Sequence, residues 1–174
     1  MRAEALFVVF VFFVDVRGAP LKDLIDALNT TRPIWLYKQS YEHSPEAVGR
    51  TCVYWNKKDL SSSSYVFDYT FKQKGHYHTD QKTQAELSNM SGAGIMDVTY
   101  KREKVEPTQV YYTLDKWSPN EKCFILTRNV NGYYACDLYV WDENAKPGAH
   151  GTCDARYKEI CGEGPTVFSE DECK

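Results

Sequence analysis

Asn131-Gly132 stands between two runs of β-branched and aromatic residues, CFILTRNV at 123–130 and YYACDLYVW at 133–141, and this stretch limits the fold most tightly. Both positions of a two-residue hairpin turn need positive φ, which Asn-Gly adopts readily, so the stretch predicts an antiparallel hairpin with Val130 opposite Tyr133. That register puts Phe124, Leu126, Arg128, Val130, Tyr133, Ala135, Asp137 and Tyr139 on one face. Cys123, Ile125, Thr127, Asn129, Tyr134, Cys136, Leu138 and Val140 take the other. Neither face is simply polar, so each must cover something: a core or cavity on one side, and disulfides, loops or a helix on the other.

Other segments supply the remaining strands. Residues 65–72 (YVFDYTFK) alternate most cleanly, with Tyr65, Phe67, Tyr69 and Phe71 on one face and Asp68 pointing outward. Residues 34–37 and 51–56 read as two earlier strands, and 75–79, 95–102 and 109–114 as three later ones. Turn-rich 88–94 and Glu106-Pro107 separate these last three, and 43–49 and 144–151 read as loops. Residues 20–28 place Leu21, Leu24, Ile25 and Leu28 on one helical face, with Pro20 in the first turn. Residues 152–161 can form a second helix, with Thr152 as its cap and Ala155 and Ile160 near its packed side. About eight short strands in meander order predict an all-β, lipocalin-like, eight-stranded antiparallel up-and-down barrel with a short N-terminal and a C-terminal helix.

The first residues set the expected compartment. The apolar run at 5–14, behind Arg2, is too short to span a bilayer and suits a secretion signal. Small Val16 and Gly18 place cleavage after Gly18, dividing the chain into a signal peptide at 1–18 and one barrel domain at 19–174. The formal net charge of −3 is unchanged by losing Arg2, Arg17, Glu4 and Asp15, and gives no sign of a nucleic-acid or membrane-surface partner. Six cysteines, all downstream of residue 18, imply three disulfides in a secreted chain, with the pairing left open by spacing. Two sequons, at Asn29 and Asn89, are expected glycosylation sites.

Four features together resemble the tick salivary lipocalins, a family with histamine-binding and Japanin-like members. They are Ile34-Trp35-Leu36-Tyr37 after a leading helix, Thr51-Cys52-Val53 in the second strand, Cys136-Asp137-Leu138 in the last strand, and a cysteine, Cys173, near the C-terminus. The resemblance runs through residues 19–174 in short pieces, and its most specific parts are the cysteine order and the Cys-Asp-Leu triplet. It implies the pairs Cys52–Cys173 and Cys136–Cys161, leaving Cys123 with Cys153. It also implies a secreted monomer that captures a small ligand and suppresses host inflammatory or immune responses, including those of dendritic cells.

Thirteen tyrosines and eight phenylalanines can furnish an aromatic wall with phenol groups to orient a polar end. The inward candidates are Trp35, Tyr37, Tyr54, Tyr65, Phe67, Tyr69, Phe71, Tyr100, Tyr112, Phe124, Tyr133 and Tyr139, with Asp137 and Arg128 among them. The amine binders of the family pair a Cys-Asp-aliphatic triplet with a later Glu-Leu-aromatic segment; here the triplet is present, but the later region reads KPGAHG at 146–151. Half of that motif is missing, and Arg128 offers Asp137 an internal partner. A lipid or sterol is therefore the expected ligand, with a biogenic amine such as histamine or serotonin second. A third reading is that surface loops at 43–49, 88–94 and 144–151 bind a host receptor or complement component. His76 and His78 could share a metal, but no third ligand is evident, and they read as solvated strand residues. With no Gly-x-Ser-x-Gly, His-Glu-x-x-His or phosphate loop, neither catalysis nor a cofactor has support.

Overall fold

The computed structural model describes residues 18–41, 49–102, 105–130 and 132–174. Residues 1–17 of the leader expected over 1–18, most of the 43–49 loop and Asn131 lie outside the described residues. The strands are β1 (Ile34–Gln39), β2 (Thr51–Leu60), β3 (Ser64–Gln73), β4 (His76–Met90), β5 (Ala93–Arg102), β6 (Val105–Ser118), β7 (Cys123–Val130) and β8 (Tyr133–Trp141). Each pairs antiparallel with the next, and β1 closes on β8 to complete the barrel. The all-β up-and-down barrel read from the sequence is the observed fold. In the β7–β8 hairpin the register runs from Val130↔Tyr133 to Cys123↔Val140, with Gly132 at φ +85° in the turn.

Two expected breaks are strand instead. The stretch at 88–94 is a tight hairpin in which only Ser91 and Gly92, at φ +52° and +85°, leave the ladder. The strand before it, expected over 75–79, runs on to Met90; its continuation is hard to read because its buried residues, Thr83, Ala85 and Leu87, are mostly small or polar and give a faint alternation. Pro107 lies within β6, beside the β5–β6 register shift between Tyr100 and Arg102, where its missing N–H is tolerated.

Helix α1 (Leu21–Leu28) closes one end of the barrel with buried Leu24, Ala27 and Leu28. Trp141 Nε1 donates to the Ala27 carbonyl at 2.9 Å, and Gly94 at the start of β5 lets the helix approach closely. A Cβ at Gly94 would stand 3.0 Å from both Leu21 Cα and Leu24 Cβ. Gly94→Ala is therefore expected to lower unfolding free energy by about 1–3 kcal/mol, the usual range for overpacking. Urea denaturation checks it, and an unchanged midpoint would mean that the helix can shift freely.

The outer wall carries a second cluster under α2 (Gly151–Cys161) and a C-terminal segment ending in α3 (Glu170–Cys173). The disulfides are Cys52–Cys173, Cys123–Cys153 and Cys136–Cys161. Two of them anchor α2 to the β7–β8 hairpin and set its rotation, so Cys153 and Tyr157 are buried whereas Ala155, expected on the packed side, is exposed. Thr152 is not the cap. The helix begins at Gly151, and the Thr152 backbone N–H and hydroxyl donate to Glu121 Oε2 at 3.0 and 2.6 Å.

Candidate functional site

Alternate hairpins of an up-and-down barrel share an end, so the β3–β4 and β7–β8 turns lie opposite α1. Towards α1 the lumen is packed with rings: Trp55 lies 4.2 Å from Tyr139, Tyr65 stacks on Phe67 at 4.8 Å, and Phe124 stacks on Tyr139 at 5.3 Å between centroids. Towards the other end, Tyr69 meets Tyr100 edge-on at 5.2 Å, and Tyr112 shares that inner cluster. The clean alternation of β3 places Tyr65, Phe67, Tyr69 and Phe71 in this inner cluster, with Tyr100, Tyr112, Phe124 and Tyr139.

Asp137 is the charged centre of the lumen. It is 1 % exposed and accepts a hydrogen bond from the Tyr41 hydroxyl to Oδ2 at 3.2 Å, while its Oδ1 is buried with no partner. Burial pushes its carboxyl up to about 6, against the opposing influence of Arg128 and the Tyr41 hydrogen bond. Arg128 comes from the facing strand: Leu126 pairs with Asp137 and Arg128 with Ala135, so Arg128 and Asp137 are same-face diagonal neighbours. The expected Arg128–Asp137 partnership is one of charge across this diagonal; the hydrogen bond to Asp137 comes from Tyr41. The guanidinium lies over the Tyr41 ring at 4.1 Å and 5.5 Å from the centre of the Tyr112 ring, with Nε buried and unpartnered. Burial raises the phenols of Tyr41, Tyr100, Tyr112 and Tyr139 well above the ordinary tyrosine range, keeping them neutral donors and acceptors.

Four sequence candidates are placed elsewhere. Trp35, Tyr37 and Tyr54 face outward into the second cluster, and Ile34, Leu36, Val53 and Trp55 take the lumen in their stead. The inversion arises because β1 is covered on both sides: Val167 N–H donates to the Tyr37 carbonyl at 2.9 Å and Phe168 lies 5.1 Å from Trp35. Tyr133 is 78 % exposed because it occupies the last pair of the hairpin, at its turn. Tyr41, Trp55 and Arg50 were missed. Tyr41 and Arg50 lie outside the expected strands, whereas Trp55 was detectable, since Cys52 must face outward to reach Cys173 and so turns positions 53 and 55 inward.

Tyr37 instead lines an outer cleft of about 600 Å³ with Lys38, His150, Asp154 and Phe168. Lys38 Nζ donates to Asp154 Oδ1 at 2.6 Å, so these two charges answer one another, and His150 Nδ1 lies 2.9 Å from Asp154 Oδ2. Among the described residues the one grouping of potential metal ligands is Glu121, Cys123 and Cys153, and both thiols are used in a disulfide. His76 and His78 are exposed, with the His78 ring 5.4 Å from that of Phe71. Asp68 points outward to Lys58 at 2.9 Å. The two sequon asparagines, Asn29 and Asn89, are exposed.

No protein-family model and no curated protein matches this chain. Solved structures do. Japanin from Rhipicephalus appendiculatus, bound to cholesterol, matches with a TM-score of 0.55 at 16 % identity, over 82 % of this chain and 95 % of that one. Lobster apocrustacyanin A1 matches with a TM-score of 0.55 at 12 % identity, over 89 % and 88 % of the two chains. Apocrustacyanin C2 matches with 0.53 at 14 % identity, over 90 % and 92 %. The barrel closed at one end by a helix, together with these likenesses, defines the fold as that of a lipocalin.

Proposed function

We propose that this protein is a secreted tick-type salivary lipocalin that holds a small hydrophobic molecule, a lipid or sterol, in its barrel. By removing that molecule from the host it suppresses inflammatory and immune responses. The observation that carries the ligand reading is the lumen: rings of Tyr69, Phe71, Tyr100, Tyr112, Phe124 and Tyr139 form an apolar wall, with the Arg128–Asp137 pair to orient one polar end. The cholesterol bound by the similarly folded Japanin supports the ligand class. The three disulfides fit an extracellular site of action, and the exposed Asn29 and Asn89 suit glycosylation. Loop exchange on an intact barrel separates ligand capture from a surface role in binding a host receptor: activity lost with ligand retained assigns the effect to the surface.

One observation favours a biogenic amine as second reading: a buried carboxylate, Asp137, among tyrosine rings. Arg128 opposes it, since a permanent cation already shares the site. The deciding experiment is native mass spectrometry of protein secreted from eukaryotic cells and deglycosylated, before and after adding histamine, with organic extraction of the preparation. A co-purified apolar molecule that histamine does not displace is the expected result. An empty barrel that takes up histamine stoichiometrically would replace the lipid reading with the amine one.

A further inference from the structure

The polar end of the lumen has an unusual pairing of unmet needs. Asp137 Oδ1 is a buried acceptor without a donor, and Arg128 Nε is a buried donor without an acceptor. The two side chains project from diagonal positions of one sheet face, about 7–8 Å apart at the backbone. A single hydroxyl oxygen seated between them can serve both, accepting from one and donating to the other. Leaving both groups buried and unmet is costly, and a ligand atom that meets both recovers that cost.

The charges decide which oxygen. A carboxylate or phosphate would accept from Arg128 but meet Asp137 with like charge and no proton for Oδ1. An ammonium would donate to Asp137 but stand against Arg128, whose charge is permanent. Among the described residues, two more buried or half-buried charges stand towards this end, and they too are of opposite sign: Arg50, with its guanidinium 3.9 Å over the Phe71 ring, and Asp80, cross-strand from Tyr69. A hydroxyl carries one proton to give and lone pairs to receive, and adds no charge.

Resting on the barrel-ligand reading above, we infer that the natural ligand is an uncharged amphiphile bearing a hydroxyl, which donates to Asp137 Oδ1 and accepts from Arg128 Nε. Tyr100 and Tyr112 flank this position with neutral phenols and complete a surface that distinguishes alcohols from acids and amines of the same carbon skeleton.

The test uses delipidated full-length secreted protein at about pH 8, where the carboxylate of Asp137 is ionised. Binding is measured for a matched set, 1-dodecanol, dodecanoic acid and dodecylamine, and for cholesterol against its 3-keto analogue. The alcohol of each set is expected to bind at least about tenfold more tightly than its partners, the analogues leaving a buried group unpaired. Asp137→Asn removes the negative charge and should move the preference to the acid; Arg128→Gln should move it to the amine. These two reversals separate a specific contact from general polarity, and each variant serves if the other fails to fold. A wild-type preference for the acid or the amine, or equal binding across each set, overturns the inference while leaving the barrel reading intact. Failure of every probe to bind, with nothing extracted from the secreted protein, overturns both.

Discussion

Alanine at both Cys52 and Cys173 is expected to lower the unfolding free energy by about 5 kcal/mol, the largest effect of any small change in this chain. The bond spans 121 residues, from β2 to the last turn of the chain, so in the unfolded state it restrains nearly the whole barrel. Cys136–Cys161 and Cys123–Cys153 span 25 and 30 residues, and the same chain-entropy relation gives about 3.5–4 kcal/mol for each. The outer packing adds to the asymmetry. The segment tethered by Cys173 lays Val167 and Phe168 against β1, and without the tether Trp35 and Tyr37 lose a cover that exists only while the segment stays docked. Guanidinium unfolding of the two double-alanine variants, Cys52/Cys173 and Cys136/Cys161, gives the comparison. A smaller loss for the long-range pair would place the stabilisation in native contacts rather than in chain entropy.

Asp137→Asn is expected to stabilise the ligand-free protein at neutral pH and to leave it unchanged in acid. The carboxyl rises from its ordinary 3.8 to about 6 on folding, so the folded state holds this proton more firmly than the unfolded chain. Below about pH 4 both states are protonated and burial of the group carries no charge penalty. As pH rises from about 4 to about 6 the unfolded chain ionises first, and stability falls until the folded carboxyl ionises too. Above that the loss is constant, on the order of 3 kcal/mol, and asparagine removes it. Burial sets the shift, opposed by Arg128 on β7 and by the hydrogen bond from Tyr41 beyond β1. Tyr112 on β6, Tyr139 on β8 and Tyr157 on α2 in turn feel the charge of Asp137, and among all these groups only Arg128 is charged in this range. Thermal unfolding of delipidated wild type and variant across this range supplies the test. Parallel pH profiles would show that Asp137 titrates alike in the folded and unfolded protein. A destabilised protein retained with its carboxylate is consistent with that group serving a ligand rather than the fold.

How far each element was legible follows from what stands on its two sides. The β3 stripe was readable because one face is aromatic and the other largely polar, so alternation alone says which way is in. The β7–β8 register was readable because the Asn-Gly turn sets it without reference to anything distant. For β1 and β2 the pattern had no sign. The C-terminal segment, more than 100 residues away, makes the outer face apolar too, and Trp35, Tyr37 and Tyr54 belong to that outer cluster. Tyr133 carries the inward parity of its strand but lies at the turn.

The sequence by itself determined the eight-stranded barrel, its meander order and the inward placement of Asp137 and Arg128, because turn chemistry and period-two patterning are local properties of the chain. Only the tertiary structure decided which residues share the lumen with them. Tyr41 reaches Asp137 across 96 residues, and Trp55 rather than Tyr54 turns inward because a disulfide and a docked tail hold the opposite face. Those choices depend on what covers each strand, and that cover is supplied by segments distant in sequence.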